Sequence, residues 1–484
     1  MQRVRAPACG PFAVVIAALA GCATLAPPPL EPGDVPERWI GPVYDQVSVW
    51  PNTDWWNNFK DAELSAFIEE VKANNLDLAN NRHNLESAQL TLREAGLERW
   101  PTPQVSLGDG TAFSSTRVDG VTVSSGNIAE DTQLAAAVNF SSILTKPAAY
   151  ARSLTDYESQ LAQAADAAMN TLGTATSTFF QLLLIRDRIV AAQQNLANAE
   201  VIGRIAQARL DAGVSVPIDT LQQQIQIEQQ RNALQSLIQN DLAARASLAV
   251  LVGRHVQGFD IDGETLQNVE VPRVQPGLPS ELLTRRPDLY QAEMSLRGAA
   301  ISVTIVRRSL FPQISLTAGA SASSAALTDI VSAPAQTTFG ISAGLVQLLL
   351  DNGERRRNIE QAKISLESGL AIYRRAVLGA FNEVEVALSN IQLLEAQAEV
   401  AASSLGAAEE AFRIAQVRYE EGVADYQTVL QAQNTLFTTR NAFLDNKLQR
   451  LNAILSFYQA LGGGWEPGDM PEYWGVTANG AAAR

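Results

Sequence analysis

The chain has 484 residues, 46% apolar and 18% charged, which excludes both a disordered polymer and a bundle of apolar membrane helices. Aromatics are only 6% while Ala and Gln recur throughout, a composition suited to long, closely packed helices. The net charge of −15 argues against a nucleic-acid surface, and two Cys with two His are too few for a Cys- or His-based zinc site or an iron–sulfur cluster.

The amino terminus reads as an address. Arg3 and Arg5 precede an apolar run, Phe12 to Ala20, far too short to span a bilayer. Leu19-Ala20-Gly21-Cys22 is similar to a bacterial lipobox, which implies diacylglyceryl transfer to the Cys22 thiol, cleavage before it and N-acylation of the new terminus. Ala23, where Asp would signal retention, implies sorting to the outer membrane. Residues 1–21 are then a signal peptide, and their two Arg leave with it, giving a mature charge of about −17. Cys9 is lost and Cys22 carries lipid, so no disulfide forms within one mature chain.

Residues 22–70 form a lipidated amino-terminal segment expected to pack on the middle of the molecule, with Trp55 and Trp56 as packing anchors rather than a ligand cage. The remainder is written twice. Arg209-Leu-Asp-Ala-Gly213-Val214 recurs as Arg418-Tyr-Glu-Glu-Gly422-Val423, and Ile205-Ala-Gln207 as Ile414-Ala-Gln416, both 209 residues on. Trp100-Pro101 and Gln104-Val-Ser-Leu107 likewise answer to Phe311-Pro312 and Gln313-Ile-Ser-Leu316. Repeat 1 spans 71–262, a linker 263–283, repeat 2 284–461, and a tail 462–484.

Each repeat has the same element order. A helix over Asn74–Arg99 (Thr284–Ser309 in repeat 2) is stopped by the following Pro. Two strands follow, Gln104–Thr116 with Asp131–Ser142, and Gln313–Ala325 with Gln336–Leu348, separated in repeat 1 by loops at Asp119-Gly120 and Ser124-Ser-Gly126. Helices without internal Pro then run over Ala148–Ala212 and Gly353–Glu421, each about 100 Å at 1.5 Å per residue. Leu182, Ile185, Ile189, Ala192, Leu196 and Ala199 alternate at three and four, a coiled-coil seam. Each arm turns at Gly-Val and returns over Ile218–Val252 or Tyr426–Leu461.

Strands span lipid only in a closed barrel, because every backbone N–H and C=O needs a partner there. Four strands cannot enclose a lumen, so the reading favours an oligomer: two copies give eight strands with almost no channel, three give twelve. A soluble four-stranded sheet is the alternative.

The chain resembles a known family on several strings: Trp55-Trp56 with Phe59 and Asp61, Leu278-Pro-Ser-Glu-Leu-Leu-Thr-Arg-Arg-Pro-Asp-Leu289, and Phe311-Pro-Gln-Ile-Ser-Leu316. Leu350-Asp-Asn-Gly-Glu-Arg-Arg-Arg357, Arg418-Tyr-x-x-Gly-Val423 and Ala460-Leu-Gly-Gly-Gly-Trp465 complete the set. They are similar to outer-membrane efflux lipoproteins, TolC-like outer-membrane factors of the NodT/OprM branch. The resemblance implies a homotrimeric mixed α/β membrane protein. A twelve-stranded transmembrane β-barrel would be continuous with a periplasmic α-helical barrel of long coiled-coil helices. It further implies a passive exit duct of a tripartite efflux pump, with a periplasmic adaptor and an inner-membrane RND-type transporter as partners and no catalysis. A type I protein-secretion duct and a lipid-anchored structural coiled coil are the competing readings.

The resemblance also implies adaptor contact at the tips Gly213-Val214 and Gly422-Val423, and a periplasmic gate at Arg418 and Tyr419. Many relatives carry an acid where this chain has Gln431, and some also at Thr428; both are neutral here, which puts a cation-binding ring in doubt. Asp219 and Asp425 are candidate partners for Arg418, although Asp219 would equally serve to cap its return helix. Arg355-Arg-Arg357 meets either lipopolysaccharide phosphate or a helix start, or is a solvated charge run. His83 and His255 have no other His or Cys to share a metal with, so no metal site is expected.

Overall fold

The computed structural model describes residues 36, 38–40, 51–112, 115–118, 121–124, 129–141, 144–261, 263, 265–273, 279–324, 336–347 and 350–465. Cys22 and the lipobox lie outside them. The chain divides into two compact units, a sheet unit containing Glu86–Ser159 with Ala292–Tyr373 and a helical unit containing Leu30–Leu85, Gln160–Gln291 and Arg374–Arg484.

The helices are α1 (Ala62–Asn74), α2 (Leu76–Leu97), α3 (Lys146–Asp211), α4 (Pro217–Leu251), the single turn α5 (Leu282–Arg285), α6 (Pro287–Arg308), α7 (Glu354–Glu420) and α8 (Tyr426–Ala460). Duplication is visible in their lengths: α2 and α6 have 22 residues each, α3 and α7 have 66 and 67, and α4 and α8 have 35 each. Among the described residues no helix is long and apolar enough to cross a membrane.

The expected first helices each start later than the periodicity suggested. Asn74 ends α1, and Asn75 takes an extended ψ of 129°. Its side-chain oxygen accepts from the Asp77 and Leu78 amides at 2.9 and 3.0 Å, capping α2. In repeat 2 the break falls at Arg286, held extended by Pro287.

The sheet unit holds β1 (Thr102–Ala112), β4 (Ala129–Phe140), β5 (Gln313–Ser324) and β6 (Gln336–Val346), antiparallel in the order β1-β4-β5-β6. A separate hairpin, β2 (Ser115–Val118) with β3 (Val121–Ser124), takes Ser115 and Thr116 from the expected end of the first strand and otherwise stands where loops were expected. Its strands flank Asp119-Gly120, a strong two-residue hairpin signal that the loop reading passed over. Gly340-Ile-Ser342-Ala-Gly344 spells a hydrolase-like G-x-S-x-G, but it runs mid-strand in β6 and not at a strand-to-helix turn.

Register sorts the side chains onto two faces. Val105 and Leu107 pair with Ala136 and Leu134, which pair with Ala320 and Ala322; Ala318 and Ala320 then meet Ile341 and Phe339. That face is apolar, and Phe339 and Ile341 are 83% and 85% exposed on it. The opposite face carries Gln104, Asn139, Ser315, Ser321, Thr338 and Gly344. There Asn139 donates to Gln104 at 3.0 Å, and the Ser321 and Thr338 hydroxyls bond at 2.7 Å.

The helical unit is built on an aromatic core. Trp55 and Trp56 are buried, with ring centroids 5.6 Å apart, and Phe59 lies 5.1 Å from Phe180. Tyr458 closes the cluster against Trp55 at 5.9 Å and accepts a hydrogen bond from Asn58. The expected linker contributes too: Leu266 and Val269 are buried in this core, and the Glu270 amide donates to the Phe59 carbonyl. Of the expected coiled-coil seam, Leu182, Ile185, Ala192 and Ala199 are buried, and Ile189 and Leu196 half-buried.

The two most distinctive strings turn out to be architectural. Arg286, buried, bonds Asp288 through two nitrogens at 2.9 and 2.7 Å, the Ala460 carbonyl at 2.9 Å and Glu383 at 2.8 Å. Desolvation opposes its charge, but the bonds and charges of Asp288 and Glu383 outweigh it and raise its pKa. Gly462, Gly463 and Gly464 all have positive φ, and a Cβ on Gly462 would strike the Arg285 carbonyl.

Gly213, also at positive φ, has nothing within 4 Å of an added Cβ. Gly213→Ala should therefore cost only the left-handed strain, about 1–2 kcal/mol, whereas Gly462→Ala adds overpacking and should cost about 3 kcal/mol or more. Urea unfolding of the detergent-solubilised protein measures both; equal costs would contradict the close approach.

Candidate functional site

The two hairpin tips are made by the same local chemistry. After α3, the Val214 amide donates to the Arg209 carbonyl at 3.0 Å and the Gly213 amide to Leu210 at 2.9 Å. After α7, Val423 donates to Arg418 at 2.8 Å and Gly422 to Tyr419 at 3.1 Å. Both are Schellman caps, and both need their glycine, with φ of +73° and +79°. The caps leave Val214 and Val423 exposed at 64% and 65%.

Behind the tips, the hairpins are clasped to each other. Arg209 reaches from α3 to donate to the Tyr419 carbonyl at 2.8 Å, and its guanidinium lies 4.9 Å from the Tyr419 ring centroid. Tyr419 and Tyr426 meet edge-on at 6.2 Å. The Tyr426 hydroxyl donates to Gln223 of α4 at 2.9 Å, and the Gln223 amide donates to the Ala199 carbonyl at 2.7 Å. Burial first, then the proximity of Tyr419 and Asp219, push the Tyr426 pKa up to about 12. The hydroxyl therefore keeps its proton well above neutral pH. Its contribution is complete below the ordinary tyrosine pKa and is lost only as pH rises through about 12.

The remaining candidates are placed as follows. Asp425 is the N-cap of α8, accepting from the Thr428 amide at 2.8 Å and hydroxyl at 2.6 Å, bonds that lower its pKa. Asp219 is not the cap of α4, a position held by Val216; it accepts from the Ser215 hydroxyl at 2.7 Å. Neither acid bonds Arg418, which is exposed and has no side-chain partner among the described residues. Gln431 is exposed, and the Tyr419 hydroxyl is buried without a partner among the described residues. No cluster of metal-ligating groups occurs among the described residues.

Sequence reasoning singled out Arg418 and missed its repeat counterpart Arg209. The available signal was an asymmetry: Leu210 in repeat 1 answers to Tyr419 in repeat 2, so only one tip offers an aromatic face. Arg209→Ala should raise amide exchange at Gly422 and Val423 about tenfold or more, the loss expected for one charge-assisted hydrogen bond. Arg418→Ala should leave it unchanged. Equal exchange in wild type and Arg209→Ala would remove the clasp.

The model of the family described as outer membrane efflux protein matches residues 67–254 and 278–463, nearly all of both repeats. The chain is 29% identical over 454 residues to the pyoverdine export outer membrane protein OpmQ of Pseudomonas aeruginosa, covering 93% of this chain and 95% of that one. It is 26% identical over 474 residues to the cation efflux system protein CusC of Escherichia coli K12, covering 94% and 98%. The solved outer-membrane channel OprN superposes with a TM-score of 0.79 at 22% identity, over 91% of this chain and 99% of that one. The Campylobacter jejuni CmeC channel gives 0.80 at 20%, over 92% and 96%. The protein thus belongs to the outer membrane efflux protein family, and it is a channel of the outer membrane rather than an enzyme.

Proposed function

We propose that three copies of this chain close their sheets into one twelve-stranded barrel, continued through the periplasm by the helices as the passive exit duct of a tripartite pump. The one-sided sheet carries this reading. One face is apolar and exposed, the other small and polar, and β1 and β6 leave two open edges. In lipid each unpaired backbone group costs several kcal/mol, so the edges must be joined. Two sheets would give eight strands, whose interior side chains fill; three give twelve and leave a water-filled bore.

A second observation supports assembly. On α7, Val386, Leu393, Val400, Ala407 and Ile414 fall seven apart and are all exposed, an unpartnered seam suited to a helix of a neighbouring copy. Cys22 carries the diacylglyceryl and N-acyl groups that tether the mature terminus to the outer membrane. The tips at Gly213-Val214 and Gly422-Val423 receive a periplasmic adaptor, and an RND-type transporter supplies the energy. Relatives named for pyoverdine and cation efflux favour solutes over secreted proteins as cargo.

Native mass spectrometry in detergent should give three chains, and mass analysis of the mature terminus should give a triacylated Cys22. A conducting monomer would end the barrel reading; an unmodified Cys22 would end the anchor alone.

The gate follows from the clasp. Arg209 ties together the two hairpins of one protomer, which leaves the exposed Arg418 to bind a neighbouring copy where six hairpins converge. With Gln431 and Thr428 neutral, hydrogen bonds and not a cation ring hold the aperture shut. Arg418→Ala with Tyr419→Phe should raise single-trimer conductance in planar bilayers several-fold, roughly what the loss of charge-assisted bonds predicts. Unchanged conductance in an assembled trimer would sink the latch and leave the duct.

A further inference from the structure

The starts of β1 and β5 and the ends of β4 and β6 lie at one end of the sheet, where the chain passes into helices. In a chain of net charge −15, this end is unusually basic. Arg99, Lys146, Arg307, Arg308, Arg356 and Arg357 all sit within the four junctions, and none has a carboxylate partner among the described residues. Arg355 is the exception, paired with Asp351 at 2.9 Å. Local contacts position several of the others without neutralising them. Arg308 donates to the Leu144 carbonyl at 3.1 Å, Arg357 to the Asn352 carbonyl at 2.8 Å, and Arg99 stacks 4.0 Å from the Tyr150 ring centroid.

Two further features fix where this charge meets its ligand. Lys146 holds its ammonium 5.3 Å above the Phe140 ring, and Phe140 pairs with Leu316 on the apolar face. The cation therefore sits at the rim of the surface that lipid would cover. Trp100 and Phe311, at equivalent positions of the two repeats, are exposed at 69% and 44% immediately before β1 and β5. Exposed aromatic rings at the level of the headgroups, the amphipathic indole of Trp100 above all, beside cations that reach past the apolar band, mark a membrane interface.

We infer that this junction is a binding belt for anionic glycerophospholipid headgroups of the inner leaflet of the outer membrane. The inference rests on the barrel reading. Because the helices leave the sheet at this end, the belt faces the periplasm, where the leaflet is phospholipid. Arg355-Arg-Arg357 accordingly does not meet lipopolysaccharide, the ligand of the opposite leaflet: Arg355 is spent on the helix start, and Arg356 and Arg357 remain for phosphodiester oxygens. Guanidinium groups suit that ligand because they offer paired donors to a phosphate.

The test uses the full-length assembled protein in mixed micelles containing equal phosphatidylglycerol and phosphatidylcholine, with retained lipids counted by native mass spectrometry. Wild type should retain phosphatidylglycerol in about tenfold preference, the scale expected for several surface cations near an anionic headgroup. Lys146→Gln with Arg307→Gln and Arg356→Gln should lose most of it while still conducting in pure phosphatidylcholine bilayers. No preference in wild type, or full preference in the triple variant, overturns the belt. Stronger retention of added lipopolysaccharide, lost in the variant, overturns the leaflet assignment. If the variant does not assemble, salt decides on wild type: raising it from about 0.1 to 1 M shortens the screening length from roughly 10 to 3 Å and should abolish the preference. A preference that survives overturns the belt. Failure of wild type to assemble into trimers in phosphatidylcholine would count against the barrel instead.

Discussion

A sheet that is apolar on one face and unpaired at both edges has no stable solitary state. In water it exposes Phe339, Ile341 and Leu345, and in lipid its edge strands strand their amides and carbonyls. Most of the molecule can be read as the solution to that problem. The small, polar opposite face, rich in Ser, Thr and Gly, suits a wetted bore and would be a poor protein core. Strands of 11 or 12 residues match the span a tilted strand needs to cross a bilayer. Closure by copies of the same sheet removes the edges without adding a residue to the chain.

The helical unit meets a different demand, since long helices of Ala and Gln bury little apolar area per residue. It concentrates its large side chains in one aromatic cluster and fixes the chain ends by polar staples. Arg286 joins α6, α7 and the last carbonyl of α8, and Gly462 and Gly464 allow backbone to approach backbone while Gly463 makes room for the Met169 side chain. The strings by which the family is most readily recognised are therefore folding instructions. They say little about cargo, which a wide bore selects by size and charge and not through a shaped pocket.

Architecture was largely legible because it is periodic. The 209-residue offset, the absence of proline from two very long helical patterns and the glycines at both tips gave the repeats and their turns. What was hidden depended on single side chains acting across the chain. Asn75 looks like any helix-interior residue until its oxygen is seen on the Asp77 and Leu78 amides. The alternation of β6 was visible, but the agreement of four strands on one apolar face required their register. Arg209 and Arg418 occupy the same position in a repeat alignment; the Leu210/Tyr419 asymmetry hints at which one has an aromatic partner, and the tertiary fold shows Arg209 on the Tyr419 carbonyl.

That last difference bears on how a duplicated chain builds a threefold object. In the proposed trimer, two hairpins per protomer alternate around a ring, so each would meet one neighbour within its own chain and one from another. Identical repeats would make the two contacts equivalent and leave both equally free to part. Here the tips have diverged: Tyr419 and Tyr426 in repeat 2 replace Leu210 and Pro217 in repeat 1, and they supply the ring and hydroxyl that Arg209 and Gln223 engage. The contact inside the protomer thereby gains a buried, hydrogen-bonded clasp, while Arg418 stays exposed. An opening motion that follows the weaker set of contacts would separate protomers before it separated the hairpins within one. In such a trimer the repeats need differ at only a few positions to set that order, because each difference would be copied three times around the axis.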